Sequence, residues 1–302
     1  MITFNSDNGL ALVERWDDIT TRPGFDANLD PTTVELESIL GSYVFRDDII
    51  CGLSSCRQPH DKGYLIKAKN GRETNIGKDC GKKHFGVDFE TLRKTYDRDL
   101  LNATRRQRLS EFQNRAQHYL DTIDQLRHGP IGADWVYKTS RALVSKAAAM
   151  PDQIVQCISG MAKARDGAIT RQRQATAQEV DDIEARENRR IQRPHYVPES
   201  IGMLQGLAVL FPENDLRQIL AVDLIPKLVQ LKQLSVDTVR ELDLATWDKW
   251  AAGIDRKLEQ AKAAIHEGTL LLRKSNLAQL DKLLEEQADR KIFGHFISKL
   301  PV

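Results

Sequence analysis

Long apolar runs are missing from this chain, and with them any window that reads as a membrane span. The N-terminus MITFNSDNGLALVERWDD carries acids where a secretory signal needs a basic start and an apolar stretch, so the chain reads as cytoplasmic. Aromatic residues make up only 6% of the sequence, which leaves too few large anchors for an all-β core. No Walker phosphate loop, dinucleotide-binding glycine pattern or nucleophile elbow is present; GSYVF, CGLSS and GPIG are turns. The adjacent acids Asp17-Asp18, Asp47-Asp48 and Asp181-Asp182 would point in different directions on a helix and read as solvated surface. Nothing in these patterns indicates a small-molecule substrate. Cysteine is scarce as well, four in 302 residues, and a cytoplasmic chain keeps its thiols out of disulfides.

Charge is plentiful, at 29% of residues, and the net value of +1 conceals its distribution. The first fifty residues hold ten acids against three bases, whereas Cys51 to Gly86 holds eight bases against three acids. A basic segment of this kind suits nucleic acid or an acidic partner, including the chain's own acidic N-terminal stretch.

The pattern of the chain predicts a mainly α protein: an elongated helical bundle or coiled-coil hairpins, with a small ββα zinc module near the N-terminus. Residues 1–44 read as an acidic arm with two short amphipathic stretches, Leu10 to Trp16 and Val34 to Leu40. Residues 45–87 form the module, in which GYLIKAKNGRETNIG reads as strand, Asn-Gly turn, strand. Residues 88–192 form a long-helix or coiled-coil region. Its first helix carries Phe89, Leu92, Tyr96, Leu100, Leu109, Phe112, Tyr119 and Ile123 at steps near three and four and ends at HGPIG. Two further helices, to about Met150 and about Gln192, complete that region. RPHYVPES, residues 193–200, reads as a linker. Residues 201–302 read as a C-terminal helical domain with a break at Pro226 and a long helix from Ala245 to about Lys291. The long helices also suggest a homo-oligomer.

Three of the four cysteines fall between residues 51 and 80, in a turn-rich segment poor in apolar residues. Cys51 and Cys56 would sit on a tight knuckle; Cys80 and His84, at i and i+4, would share one face of a first helical turn. The hairpin between the pairs brings them together, as a tetrahedral structural zinc site requires. His60, four residues after Cys56, competes with His84 for the fourth position. The helix end and nearby lysines favour a thiolate at Cys80. The fourth cysteine, Cys157 in IVQCISGM, reads as plain core.

Knuckle, hairpin and a helix donating the last ligands is the treble-clef order, and NIGKDCGKKHFG resembles the IG-x-x-C lead-in to the last helix in small zinc modules of uncharacterised phage and mobile-element proteins. The first pair departs from that pattern, with four intervening residues where two are usual. This resemblance implies a zinc-stabilised binding protein of phage type, working in a host cytoplasm. His60, Asn75 and His84 also occur in an order similar to HNH nucleases. Here His60-Asp61 reverses that family's Asp-His pair, Lys83 stands at the place of its last zinc cysteine, and His84 is drawn into the structural site, so the reading is non-enzymatic.

Two partners follow from the residues. Nucleic acid would meet Arg57, Lys62, Lys67, Lys69, Arg72, Lys78, Lys82 and Lys83 of the module, with Arg105 and Arg106 of the long helix extending the surface. A protein-interaction or inhibitor protein, engaging a host or defence protein with its zinc serving only as a staple, is the alternative.

Overall fold

The computed structural model describes residues 2–6 and 9–301, so Asp7 of the acidic count lies outside the described residues. In chain order the elements are β1 (Ile2–Ser6), β2 (Gly9–Val13), α1 (Asp17–Thr20), β3 (Leu36–Ile50), β4 (Pro59–Ala68), β5 (Glu73–Ile76), α2 (Lys78–His128), α3 (Ala133–Ala142), α4 (Asp152–Ala164), β6 (Ala168–Gln174), α5 (Ala177–Glu187) and β7 (Tyr196–Met203). Then follow α6 (Ile225–Gln233), α7 (Glu241–Ala251), α8 (Ile254–Leu271), α9 (Lys274–Leu277) and α10 (Gln287–Ser298), with short 3-10 turns between. The chain is mainly helical with small antiparallel sheets, and among the described residues no helix is long and apolar enough to cross a membrane. It divides into two units, Met1–Phe112 with Ser235–Ala251, and Gln113–Leu234 with Ala252–Val302.

The first unit is built on a five-stranded antiparallel sheet in the order β2-β1-β3-β4-β5. The acidic stretch expected as an arm is therefore part of a sheet. Its two amphipathic pieces enter β2 and β3, where pairing with neighbouring strands fixes them as extended: β2 with β1, and β3 with β4 from Leu36 opposite Ala68 onward. The expected hairpin is present as β4 and β5, with Gly71 at φ 83°, a conformation that asks for glycine. Alternation along β4 sends Leu65 to one face with Tyr43 and Ile19, and Ile66 to the other with Leu29, Leu53, Ile76 and Phe89. Each face thus has a small core, the second of which contains the cysteines.

α2 begins ten residues earlier than the periodicity suggested and is kinked at Gly86 (φ 55°, ψ −129°), which separates a short first helix from the long one. Tyr96 binds the long helix to the sheet by donating to the Thr3 carbonyl at 2.6 Å and accepting from the Ser42 amide at 3.0 Å. Partners for the rest come from the same chain. Arg106 donates to the carbonyls of Val236 and Val239, while Arg108 meets Asp248 of α7 at 3.0 Å.

In the second unit the helix expected to run to about Gln192 is α4, then β6, then α5, and the expected linker lies largely in β7, which pairs antiparallel with β6. AITRQRQ has one buried apolar residue, Ile169, so its helical and extended forms are nearly indistinguishable by burial, and pairing with β7 decides. Pro226 does not break its helix. It cannot donate an amide hydrogen, and the preceding turns, Arg217–Leu224, adopt the wider π register before α6 continues. Residues 245–291 form α7 to α10 rather than one helix. α3 packs on α8 at Gly268, where a Cβ would lie 2.1 Å from Val136. The buried Asn276 amide caps the end of α8, donating to the carbonyls of Leu270 and Leu271.

At the start of α5, Thr176 and Glu179 form a capping box, and Glu179 also takes a bidentate contact from Arg173 of β6. The Arg173 guanidinium, with the Thr176 amide, holds the Glu179 carboxyl down at about 2. A depressed folded value stabilises above the ordinary 4.5 and is lost as pH falls from there towards 2. α5 is therefore expected to loosen in that window, with the Glu179 carboxyl resonance titrating near its low end in an NMR pH series. A midpoint at the ordinary value would refute the contact.

Candidate metal centre

The site starts from the end of β3. After Ile50 the chain turns through Cys51 to Gln58, closed by the Cys51 amide donating to the Gln58 carbonyl at 3.0 Å and the Cys56 amide to Leu53 at 3.1 Å. Gly52 donates to the Asn75 carbonyl of β5 at 2.8 Å, and its missing side chain allows that approach, since a Cβ there would lie 2.1 Å from Thr74 Oγ1. Leu29 and Leu53 bridge on the outer side, and the Arg57 guanidinium, its backbone left-handed at φ 56°, donates to the Ala27 carbonyl at 2.6 Å. The knuckle is thereby fixed between a loop and a strand. β5 then delivers the chain through Gly77 into α2, whose first turn carries Cys80. Gly81 follows it because Phe89 packs there: a Cβ would meet the Phe89 ring at 2.4 Å.

The three sulfurs converge within 4.8 Å of one another, close enough to hold a metal ion. Tetrahedral zinc–thiolate bonds of about 2.3 Å place sulfurs about 3.8 Å apart, inside that envelope. Cys56 and Cys80 are 3.0 Å apart, hydrogen-bonded thiols rather than a disulfide. Cys51 is fully buried and the other two are half-buried.

Burial pushes the Cys51 thiol up, opposed by the Leu53 and Gly77 amides that point at its sulfur. At Cys56 burial also opposes ionisation, but hydrogen bonds from Cys80 and the Gln58 amide, with the charge of Lys83, outweigh it and the thiol is lowered. Cys80, expected as the ready thiolate, is instead pushed up to about 12, first by burial and then by its contact with Cys56 and the nearby sulfur of Cys51. One thiol is thus primed, and the other two hold their protons until a cation compensates them. Ordinary core cysteines do not gather backbone donors around converging sulfurs. Cys157 shows the contrast, since burial alone raises it.

Neither histidine falls within the three-sulfur cluster. His84 Nε2 lies 3.4 Å from the Ser55 hydroxyl, beside Cys56 in the knuckle. His60 stacks on Tyr43, with Nδ1 3.2 Å from its hydroxyl, and its Nε2 is buried without a hydrogen-bond partner. Burial holds the His60 imidazole below its ordinary range, against the nearby Asp48 and Asp61. Asn75 is committed to structure, donating to the Ile50 carbonyl and the Tyr43 hydroxyl.

The ten basic residues separate into two groups. Lys67 pairs with Glu37, Lys69 with Glu35, Arg72 with Asp26 and Arg105 with Asp248, while Arg57 and Arg106 are spent on backbone carbonyls. Lys62, Lys78, Lys82 and Lys83 make no ion pair among the described residues. Spacing pointed to the cysteines but not to the amides of Leu53, Gly77 and Gln58, nor to Ser55; the glycines flanking Cys51 and Cys80 were the visible trace of that close packing. No family model, curated protein or solved structure matches the chain.

Proposed function

We propose that Cys51, Cys56 and Cys80 hold a structural zinc ion with His84 as fourth ligand, and that the chain is a non-enzymatic binding protein acting on nucleic acid through the lysines beside that site. The observation that carries the metal is the convergence of three sulfurs, two of which, Cys51 and Cys56, have backbone amides directed at them. Thiolate donors select zinc among the common divalent ions of a reducing compartment, and the ring of His84 sits one helical turn from Cys80 and meets Ser55 of the knuckle at 3.4 Å. Zinc there would tie the knuckle to the first turn of α2.

Support for nucleic acid comes from Lys78, Lys82 and Lys83, three ammonium groups on that short helix that make no ion pair among the described residues, with Lys62 on β4. Binding of oligonucleotides should weaken in salt with a log–log slope of roughly −3, and the Lys78→Gln, Lys82→Gln, Lys83→Gln triple variant should bring that slope to about −1, the share of Lys62. Charge removal at Lys67 and Lys69 should change it little, because Glu37 and Glu35 already neutralise them. One observation favours a protein partner instead: six of the ten basic residues are engaged within the chain. Absence of any oligonucleotide binding by zinc-loaded protein would move the function to that reading.

A further inference from the structure

The second unit holds a cavity of about 300 Å³ that the metal centre does not involve, lined from α3 and the end of α10. On α3 the lining residues fall at helical spacing, Trp135, Lys138, Thr139 and Ala142, one face of the helix. At the end of α10 the same order recurs, with Phe296 in its last turn followed by Lys299 at the C-cap and then Leu300. Each side therefore contributes an aromatic wall and, one turn further along, an ammonium group.

Among the described residues no carboxylate lines the cavity, and neither Lys138 nor Lys299 makes an ion pair. The Thr139 hydroxyl and the Trp135 indole N–H also make no hydrogen bond there. A lysine near a helix C-terminus can serve the helix dipole alone. Here, however, the Phe296 and Ile297 carbonyls already accept from the amides of Lys299 and Leu300, at 3.2 and 3.1 Å. The second described cavity offers a comparison: its Arg127 is already neutralised by Asp134 at 2.8 Å, which leaves Arg217 as its single cation without an ion pair among the described residues, against two here.

We propose that the cavity between α3 and α10 binds a small carboxylate with an apolar body, the tail against Trp135 and Phe296 and the charge between Lys138 and Lys299. Its volume is at the low end of small-molecule sites, which suits a short aliphatic or single-ring acid. The arrangement asks for both parts of the ligand, because the apolar walls alone would accept an alcohol equally well.

Calorimetric titration of the full zinc-loaded chain with octanoate, hydrocinnamate and octanol tests this. Saturable binding of at least one of the two acids, tighter than octanol, is expected, the acid that binds telling the aliphatic source from the aromatic one. In the Lys138→Gln, Lys299→Gln double variant that binding should weaken about tenfold, the scale of two exposed charge contacts, with octanol unaffected and the thermal midpoint unchanged. No saturable binding of either acid, octanol binding as tightly as the acids, or an unchanged affinity in the double variant would each overturn the assignment.

Discussion

Cys80→Ser is expected to leave the chain without zinc, as are Cys51→Ser and Cys56→Ser, whereas Cys157→Ser should retain one ion per chain. The physical reason is that the three sulfurs converge on one point, so removing any one leaves two thiolates and a histidine, one donor short of the closed tetrahedral set of a structural site. With free zinc about a thousandfold above the dissociation constant, linkage assigns the metal about 4 kcal/mol of stability, which these variants lose. Chelator treatment of the unaltered protein should reproduce that loss. His84→Ala should bind zinc more weakly than the parent, while His60→Ala, whose ring belongs with Tyr43, should bind as the parent does. Acid works in the same direction: Cys51 and Cys80 both hold their protons more firmly than free thiols, so zinc must displace at least two near neutrality. Affinity should then fall by roughly two orders of magnitude for each unit of pH decrease. Elemental analysis with chelator competition across pH reads all of this, and a Cys80→Ser protein that keeps its zinc would end the assignment.

What the sequence disclosed were its local signals. The Asn70-Gly71 hairpin and the long helix through Phe89 and Ile123 are set by neighbours within a few residues, and both are present. The sheet of the first unit is mostly non-local. β1 pairs with β3 some forty residues away, and β6 with β7 across the inserted α5, so neither partner is visible from its own stretch. Without the partner, an amphipathic strand of a few residues cannot be told from a helical turn.

The charge pattern shows the same limit. Segregation of acids before residue 50 and bases after it was plain, and the chain's own acidic stretch was one of its expected partners. Only the register fixes which residues meet: Leu36 opposite Ala68 and Ser38 opposite Lys67 bring Glu35 to Lys69 and Glu37 to Lys67. A basic surface of eight residues in the sequence becomes a smaller one around Lys78 in the folded unit. The histidines follow a similar logic. Spacing favoured His84 and left His60 as its competitor, while strand pairing places His60 opposite Ile49 and over Tyr43, and the helix places His84 against the knuckle.

Phe89→Ala should destabilise the first unit by about 3–5 kcal/mol, the range for removing a fully buried aromatic ring, against a total of about 5–15 kcal/mol for a typical domain. Its ring is fully buried, meets Tyr64 edge-on with centroids 5.8 Å apart, and fills the space that Gly81 leaves open beside Cys80. The first turn of α2 thus has two anchors in the sheet, Phe89 by packing and, on the zinc reading, Cys80 by ligation. Each holds the same eight-residue helix from a different side of the Gly86 kink, so each should partly substitute for the other. Denaturant unfolding followed through Trp16, which packs on Tyr43 and Phe25 in the same unit, measures the loss. Added zinc should restore much of the stability of Phe89→Ala, because its three sulfurs are intact and mass action favours the state that binds. The same addition should do nothing for Cys80→Ser. Equal rescue of the two variants would place the metal away from Cys80, and no effect of Phe89→Ala would mean that α2 is held to the sheet by other contacts.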